Sequence, residues 1–286
     1  MKVIKDNRVF SFLVIFIAYI LAFAIGLFVY RNLSFSLYVN IFIADVVATI
    51  FIYLVGLVFK NASIYDPYWS VQPLVILPLI MIMFKNFSFS AILLLMVVAI
   101  WGIRLTINWA YTFKNLNHQD WRYTMLSKKS GKLYFLVNLF GIHLFPTTVV
   151  FLCIVPAINY FIVGGQVSLF IILGMIISLI GILLEILSDI QMQTFRKTVD
   201  DRSAIIRVGL WKKSRHPNYL GEILMWFGIG IMNFAIDPSS WFMMLGAVVN
   251  LLMFLFISVP MAEKRLVKYK SNFEKYKEET RMFLPF

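Results

Sequence analysis

The side chains best suited to bind a charged ligand lie in the run Ser214–Glu222, which follows a cationic loop and precedes a long apolar stretch. Pro217 suits the first turn of a helix, because the N–H of that position has no partner within a helix. Asn218, Glu222 and Trp226 then follow at intervals of four residues and share one helical face. This spacing predicts an amide, a carboxylate and an indole beneath a helix N-terminus, which favours anions. The pattern therefore indicates a site for a polar ligand that carries phosphate.

Two other stretches carry polar side chains at helical spacing near a predicted membrane boundary. Glu185, Asp189 and Arg196 lie close to one face of a helix, where they form either an ion pair at the helix end or one wall of a cosubstrate site. The tail has a mixed basic and aromatic stripe, which is more typical of a helix at the membrane surface. The residues of this stripe are Arg265, Tyr269, Phe273 and Tyr276.

A carboxylate stands beside aromatic residues at the start of a predicted span, in the sequence Asp66-Pro67-Tyr68-Trp69. This segment is either an interfacial turn with aromatic anchors or part of a reactive site. Because burial disfavours the charged form of a carboxyl group, a desolvated Asp66 would be a proton donor. It is therefore a candidate general acid directed at a substrate carbonyl. For Asp45, in the second apolar run, we expect a contact with a neighbouring helix rather than catalysis.

The composition places the chain in a membrane. Of its 286 residues, 61% are hydrophobic and 14% are charged, whereas soluble domains are about 25% charged. Cys153 is the single cysteine, which excludes a disulfide framework and a cysteine-based metal site. The three histidines, His118, His143 and His216, are scattered, and no His, Asp and Glu cluster has metal-ligand spacing. We therefore predict an integral membrane protein with no metal site and no nucleic-acid partner.

Apolar runs long enough to cross a bilayer recur along the chain, since a spanning helix needs about 20 apolar residues. They predict an all-α, polytopic helical bundle of about eight spans, or seven if the short run with Pro73 and Pro78 re-enters the membrane. We expect the tail, 261–286, to form an amphipathic surface helix. The predicted spans are 8–31, 34–59, 70–84, 87–112, 133–162, 167–188, 218–236 and 239–260.

The basic residues predict the orientation of the chain. Of its 26 Lys and Arg residues, all but Arg31, Lys85 and Arg104 lie in segments that share one side in the eight-span arrangement. Because cytosolic loops are enriched in Lys and Arg, we expect both termini in the cytosol. The richness in Lys, Phe, Ile and Asn is typical of an AT-rich bacterial genome, so we expect a bacterial plasma membrane. No internal repeat or linker is visible, which predicts a single membrane domain, 1–286.

Three motifs of the C-terminal half occur together in one enzyme family. They are Ser-Arg-His-Pro-Asn-Tyr-Leu-Gly-Glu followed by Trp226, the pair Asp189 and Arg196, and the tail with Tyr269, Phe273-Glu274-Lys275-Tyr276 and Leu284-Pro285. Over about 180–286 the chain resembles the steroid 5-alpha-reductase family, specifically its bacterial membrane branch. An Arg-His-Pro-x-Tyr core also occurs in isoprenylcysteine carboxyl methyltransferases and sterol reductases. The chain departs from the family at Glu185, where Asn is usual, and at Met261, where Arg is usual.

The resemblance implies an all-helical enzyme that holds NADPH between its last spans, and the chain has no Gly-x-Gly-x-x-Gly fingerprint to provide another dinucleotide site. It assigns the cofactor to the half 166–286 and the substrate to the spans of 1–132. The phosphates would contact Arg196, Arg215, Lys212 or Lys213. The cofactor-binding residues that follow from the resemblance are Asp189, Arg196, Arg215, His216, Asn218, Tyr219, Glu222 and Tyr269.

The resemblance also implies where the substrate binds. In the steroid reductases, a Glu of the N-terminal half and a Tyr further along the chain bind the carbonyl oxygen of the substrate. A gapless alignment places Asp66 at the Glu position and Trp101 near the Tyr position, with Arg104 matching a nearby Arg. Since an indole N–H cannot replace a phenol as an acid, we expect Tyr68 or Tyr123 to supply the proton instead.

Three hypotheses follow from the sequence. The first is a membrane-embedded, NADPH-dependent reductase of a lipophilic substrate (steroid-like, isoprenoid or enone), in which an acid group stabilises the developing enolate. The second is an S-adenosylmethionine-dependent methyltransferase of the isoprenylcysteine carboxyl methyltransferase type, which Glu222 and Trp226 disfavour. The third is a non-enzymatic transporter or lipid-binding protein. Transporters usually place polar groups at the midplane, whereas here they gather at the predicted cytosolic ends of the spans.

Overall fold

The computed structural model of the protein describes residues 5–201 and 203–283. Leu284 and Pro285 of the tail motif therefore lie outside the described residues. Helices and no strand are found in the described ranges, which confirms the predicted all-α class. The helices are α1 Arg8–Asn32, α2 Leu37–Phe59, α3 Tyr68–Met83, α4 Phe89–Thr112, α5 Trp121–Ser130, α6 Phe145–Val163, α7 Leu169–Thr198, α8 Pro217–Ile236, α9 Leu245–Met253, α10 Val259–Tyr269 and α11 Phe273–Glu279.

The number of possible spans agrees with the prediction. Eight helical runs in the described part of the chain are long and apolar enough to cross a membrane. The run with the two prolines is one of them, because a 3-10 turn, Ala62–Ile64, precedes α3 and the whole of Ala62–Met83 is 22 residues long. A spanning helix needs about 20 residues, so this length favours eight spans over seven.

The tail departs from the single surface helix that the sequence predicted. Its first part, α10, follows directly from α9 through a π-helical segment, Phe254–Ser258. The chain then breaks at Asn272, whose φ of 60° lies in the left-handed region. Asn tolerates this conformation better than most residues do, so α11 begins in a new direction.

The chain forms two compact units. The first consists of Met1–Leu79 and Trp101–Phe151, and the second consists of Ile80–Ile100 and Leu152–Phe286. The candidate acids of the sequence analysis, Asp66, Tyr68 and Tyr123, all belong to the first unit. The candidate cofactor-binding residues all belong to the second unit. The predicted substrate-side and cofactor-binding halves stay predictions.

In the first unit, α1 packs along α2. A π-helical segment also precedes α6 in the chain. Gly26 of α1 faces α2, where an added Cβ would lie 3.4 Å from the Ala44 carbonyl oxygen. The segment Val137–Leu144 is π-helical and leads directly into α6, which carries Pro146 in its first turn. Because proline has no N–H to continue an α-helical ladder, an irregular turn before it is physically reasonable.

In the second unit, α7 and α8 pack at unusually short range. A Cβ added to Gly181 would lie 2.4 Å from the Gly221 carbonyl oxygen, and one added to Gly228 would lie 2.4 Å from the Gly174 carbonyl oxygen. The two glycines on each helix are seven residues apart, so they lie on one face. Small residues allow helix backbones to approach closely in membranes. These contacts fix the register of the helix pair that carries most of the candidate cofactor-binding residues.

Candidate functional site

The α7–α8 pair places several predicted polar residues at its loop-side end. Glu185 lies one turn beyond Gly181 on α7, and a Cβ added to Gly221 would lie 2.6 Å from its Cγ. Its side chain is therefore packed against α8, with only 1% of the residue exposed. Asn218 and Glu222 lie on either side of Gly221 in the sequence, and both are half-buried. The structure thus positions an amide and two carboxylates along one packed helix pair.

The end of α7 also lies near the end of α10. Asp189 is half-buried and Arg196 is exposed on α7. Burial, together with the nearby Arg196 guanidinium, lowers the pKa of Lys270, which follows α10 directly. The Lys270 ammonium donates to the Ala204 carbonyl oxygen at 2.8 Å. Residues of α7, the following loop and the tail therefore come together on one side of this unit.

Arg215 and His216 are buried and both contact one carboxylate of the tail. Arg215 Nε donates to Glu263 Oε1 at 2.8 Å, and His216 Nε2 lies 3.0 Å from the same oxygen. The Arg215 guanidinium also donates to the carbonyl oxygens of Lys277 and Thr280. These contacts tie the start of α8 to the tail, whereas contact of Arg215 or His216 with a cofactor stays a prediction.

Glu263 is a residue that the sequence reasoning missed. It lies one turn after Val259 on α10, and both residues are buried although the helix is rich in charge. A carboxylate at a position in line with a buried apolar residue implies a buried partner, and this signal was available in the sequence. Its partners lie 47 and 48 residues away in the chain, so the spacing did not identify them.

The loop before α8 and the tail form a second set of contacts, which we call the cap. It comprises residues 199–201, 203–216 and 270–283. The Arg215 N–H donates to the Arg281 carbonyl oxygen at 2.9 Å, and the His216 N–H donates to the Met282 carbonyl oxygen at 3.1 Å. Tyr276 donates its phenol O–H to the Trp211 carbonyl oxygen. Burial raises the pKa of Tyr276 to about 12, so the phenol stays a donor at neutral pH.

The two candidate tyrosines of this unit differ in exposure. The ring of Tyr219 stacks on that of His216, with centroids 5.1 Å apart, and on that of Phe254, with centroids 4.5 Å apart. Tyr269 is 66% exposed, and the Arg265 guanidinium lies 5.7 Å from its ring centroid. Tyr219 is therefore part of the packing at the start of α8, whereas Tyr269 presents its ring at the surface.

In the first unit, the three candidate acid residues divide into two places. The Tyr123 phenol donates to Asp66 Oδ1, which joins two of the three candidates. The Tyr68 phenol instead donates to Asp45 Oδ1 at 3.0 Å. Asp45 on α2 thus contacts a side chain of α3, which confirms the contact with a neighbouring helix that the sequence predicted. Trp101, placed by alignment near the substrate, is fully buried with its ring 6.0 Å from that of Trp69.

Within residues 5–201 and 203–283, no group of three or more His, Cys, Asp or Glu side chains is arranged to hold a metal ion.

A comparison with protein families gives one match, a family described as "Protein of unknown function (DUF1295)", over residues 52–280. No curated protein and no solved structure matches the chain. The matched range contains the Asp66–Tyr123 pair, the α7–α8 pair and most of the cap. Because this range covers well over half of the sequence, the chain belongs to the DUF1295 family.

Proposed function

We propose that the chain is a membrane-embedded reductase that uses NADPH to reduce a lipophilic substrate. The observation that carries the proposal is the meeting of α7, the start of α8 and the cap within the second unit. This meeting gathers acidic, amide and basic side chains from three separate stretches of the sequence. A set of this kind suits a charged cosubstrate better than it suits a lipid.

The residues of the second unit fit the chemistry of NADPH. Its phosphates need cations, and its ribose and carboxamide groups need hydrogen-bond partners. Lys212, Lys213 and Arg196 are exposed at the loop-side end of the α7–α8 pair. Asn218 and Glu222 are half-buried on the first two turns of α8, at the end of the helix that favours anions. When bound, NADPH would supply a hydride.

The Glu263 contacts give Arg215 and His216 a defined role in this proposal. Because both side chains bind Glu263, they hold the cap against α10 next to the start of α8. The exposed lysines of the same loop then remain available for phosphate. Arg215 and His216 are therefore positioning residues, and Lys212, Lys213 and Arg196 are the proposed phosphate contacts.

The proposed proton donor of the reduction is the Asp66–Tyr123 pair of the first unit. The pair holds a phenol proton between two oxygens, and Tyr123 is buried. A phenol in this setting can donate a hydrogen bond or a proton to the carbonyl oxygen of an enone as negative charge develops there. Asp66 would orient the Tyr123 O–H and stabilise the charge distribution around it.

We expect NADPH to raise the melting temperature of the purified protein, because a ligand that binds only the folded state stabilises it. Asn218→Ala should weaken NADPH binding about two- to tenfold, the loss expected for one hydrogen bond. Asn32→Ala is a matched control, since Asn32 is an exposed residue at the end of α1 in the other unit. The measurement is a thermal shift titration with NADPH and, separately, with S-adenosylmethionine. Stabilisation by S-adenosylmethionine alone would favour the methyltransferase and contradict the reductase.

We expect Tyr123→Phe to reduce the rate of NADPH oxidation with an enone substrate by about 10²- to 10⁴-fold, the usual contribution of a general acid. The dissociation constant for NADPH should stay unchanged, since Tyr123 is not among the proposed cofactor-binding residues. Tyr111→Phe is the control, because Tyr111 is 61% exposed on α4. Unchanged turnover in Tyr123→Phe, measured over a panel of steroid and isoprenoid enones that the parent protein reduces, would exclude Tyr123 as the donor.

A further inference from the structure

Two sets of hydrogen-bonded side-chain oxygens lie in the interior of the first unit. The Tyr65 phenol lies 2.8 Å from Thr147 Oγ1, which in turn lies 3.0 Å from Thr49 Oγ1. The Tyr65 ring stacks on that of Tyr68, with centroids 5.6 Å apart, and the Tyr68 phenol donates to Asp45 Oδ1 at 3.0 Å. All five side chains are buried. The second set therefore ends on a carboxyl group inside an apolar span.

Asp45 and Gln72 carry buried polar atoms without a partner. Asp45 Oδ2, Gln72 Nε2 and Gln72 Oε1 are buried and have no hydrogen-bond partner among the residues that the structure describes. Asp45 is 7% exposed and Gln72 is 4% exposed. Gln72 follows Tyr68 by four residues on α3, so it lies one turn from the side chain that reaches Asp45. Asp45, which Tyr68 contacts, and Gln72, one turn from Tyr68 on α3, thus leave both acceptor and donor capacity unused.

Unused polar groups are costly at this depth. In a bilayer each unsatisfied group costs several kcal/mol, because no water is present to replace the missing partner. A sequence tolerates such a cost where a bound molecule removes it, and polar residues within spans often mark binding sites. The positions one turn before and after Asp45 on the same face of α2 include Ile41 and Ala48, which are buried and apolar. The surroundings of Asp45 on α2 therefore suit an apolar molecule with a small polar group.

The charge of the bound group follows from the partners of Asp45. No basic side chain within the described ranges forms an ion pair with Asp45, whose hydrogen-bond partner is the Tyr68 phenol. A carboxyl group without a counter-ion in an apolar interior is held in its neutral form. A neutral carboxyl group and a primary amide each offer one acceptor oxygen and at least one N–H or O–H donor. Together they match an uncharged oxygen function, such as a hydroxyl or a carbonyl.

We propose that Asp45 and Gln72 form a binding site inside the bilayer for the hydroxyl or carbonyl group of an uncharged, lipid-soluble molecule. The Tyr68 phenol holds Asp45 Oδ1, so Oδ2 is left for the ligand together with the Gln72 amide. The site lies within the first unit and uses none of the proposed NADPH-binding residues. It therefore stands whether or not the chain reduces its ligand.

The experiment uses the full chain in lipid nanodiscs and three probes of similar length, namely 1-dodecanol, 2-tridecanone and dodecane. Infrared difference spectra follow the C=O band of the protonated Asp45 carboxyl group, which Asp45→Asn should remove. We expect dodecanol or tridecanone to shift this band and dodecane to leave it unchanged. The larger shift identifies which oxygen function the site prefers.

A second variant keeps the test decisive if Asp45→Asn fails to fold. Gln72→Leu should weaken binding of the oxygen-bearing probe about two- to tenfold in a titration of the Asp45 band, since one hydrogen bond is lost. Gln166→Leu is the matched control, because Gln166 is exposed and belongs to the second unit. An unshifted band with all three probes, an equal response to dodecane, or no protonated band in the parent protein would overturn the proposal. If the Asp45 band responds only to exchange of H₂O for H₂¹⁸O, water and not a lipid-soluble molecule binds Asp45 and Gln72. That result would also overturn the proposal.

Discussion

Glu263→Ala is expected to destabilise the second unit by about 3–5 kcal/mol, the usual cost of removing one partner from a buried ion pair. The Glu263 carboxylate accepts from Arg215, contacts His216 and lies 3.7 Å from the Lys277 ammonium. Arg215 is 8% exposed, so its guanidinium would remain buried without a counter-ion. The change should therefore release the cap from α10.

The single cysteine provides a direct measurement of this effect. Cys153 is buried on α6 in the second unit, and its thiol donates to the Gly246 carbonyl oxygen. Reaction of Cys153 with a thiol reagent should therefore report opening of that unit. We expect faster labelling and a lower melting temperature in Glu263→Ala, and weaker NADPH binding if the cofactor proposal holds.

Glu278→Ala is the matched control, because Glu278 is an exposed carboxylate of the same tail. It should leave both the labelling rate and the melting temperature close to those of the parent protein, as surface substitutions usually do. Glu263→Gln keeps an acceptor oxygen for Arg215. Its labelling rate and melting temperature should therefore lie between those of Glu263→Ala and Glu278→Ala. Equal labelling rates in Glu263→Ala and Glu278→Ala would show that the Glu263 contacts do not hold the cap.

Gly221→Leu is expected to separate α7 from α8 and to prevent normal folding of the second unit. Even the Cβ of an added side chain would lie 2.5 Å from the Gly181 carbonyl oxygen and 3.1 Å from the Glu185 N atom. These are backbone atoms, which cannot move away without shifting the helix. Overpacking of this kind costs about 1–3 kcal/mol and sometimes more. Gly221→Ala should already lower the melting temperature, with a larger loss in Gly221→Leu.

Gly141→Ala provides the opposite case. A Cβ at Gly141 would meet only Val137 Cγ1, at 3.9 Å, which is ordinary contact. Because glycine within a helix is less favourable than alanine by about 0.5–1 kcal/mol, this change should be neutral or stabilising. Thermal unfolding of both variants checks the contrast. If Gly221→Ala unfolded at the same temperature as Gly141→Ala, close packing of α7 on α8 would not be a source of stability.

Local patterns along the chain were enough to predict the class of the protein and much of its local structure. The 61% hydrophobic composition and the spacing of apolar runs predicted a helical bundle with about eight spans, and eight suitable helices are found in the described part of the chain. Pro217 marked the start of α8, as its position at the first turn predicted. These properties depend on neighbouring residues, since hydropathy and helix termination act over one or a few turns.

The pairs of polar groups that meet, in contrast, are set by the packing of the folded chain. Asp45 and Tyr68 are 23 residues apart, Asp66 and Tyr123 are 57 apart, and Arg215 and Glu263 are 48 apart. The periodicity of one helix shows which residues share its face, but it does not show which helix that face meets. The close approach of Gly181 and Gly221, like the burial of Glu263, arises when separate helices pack together. Partner choice thus depends on the packing of the whole unit, because hydrogen bonds and ion pairs form between groups that the fold brings together.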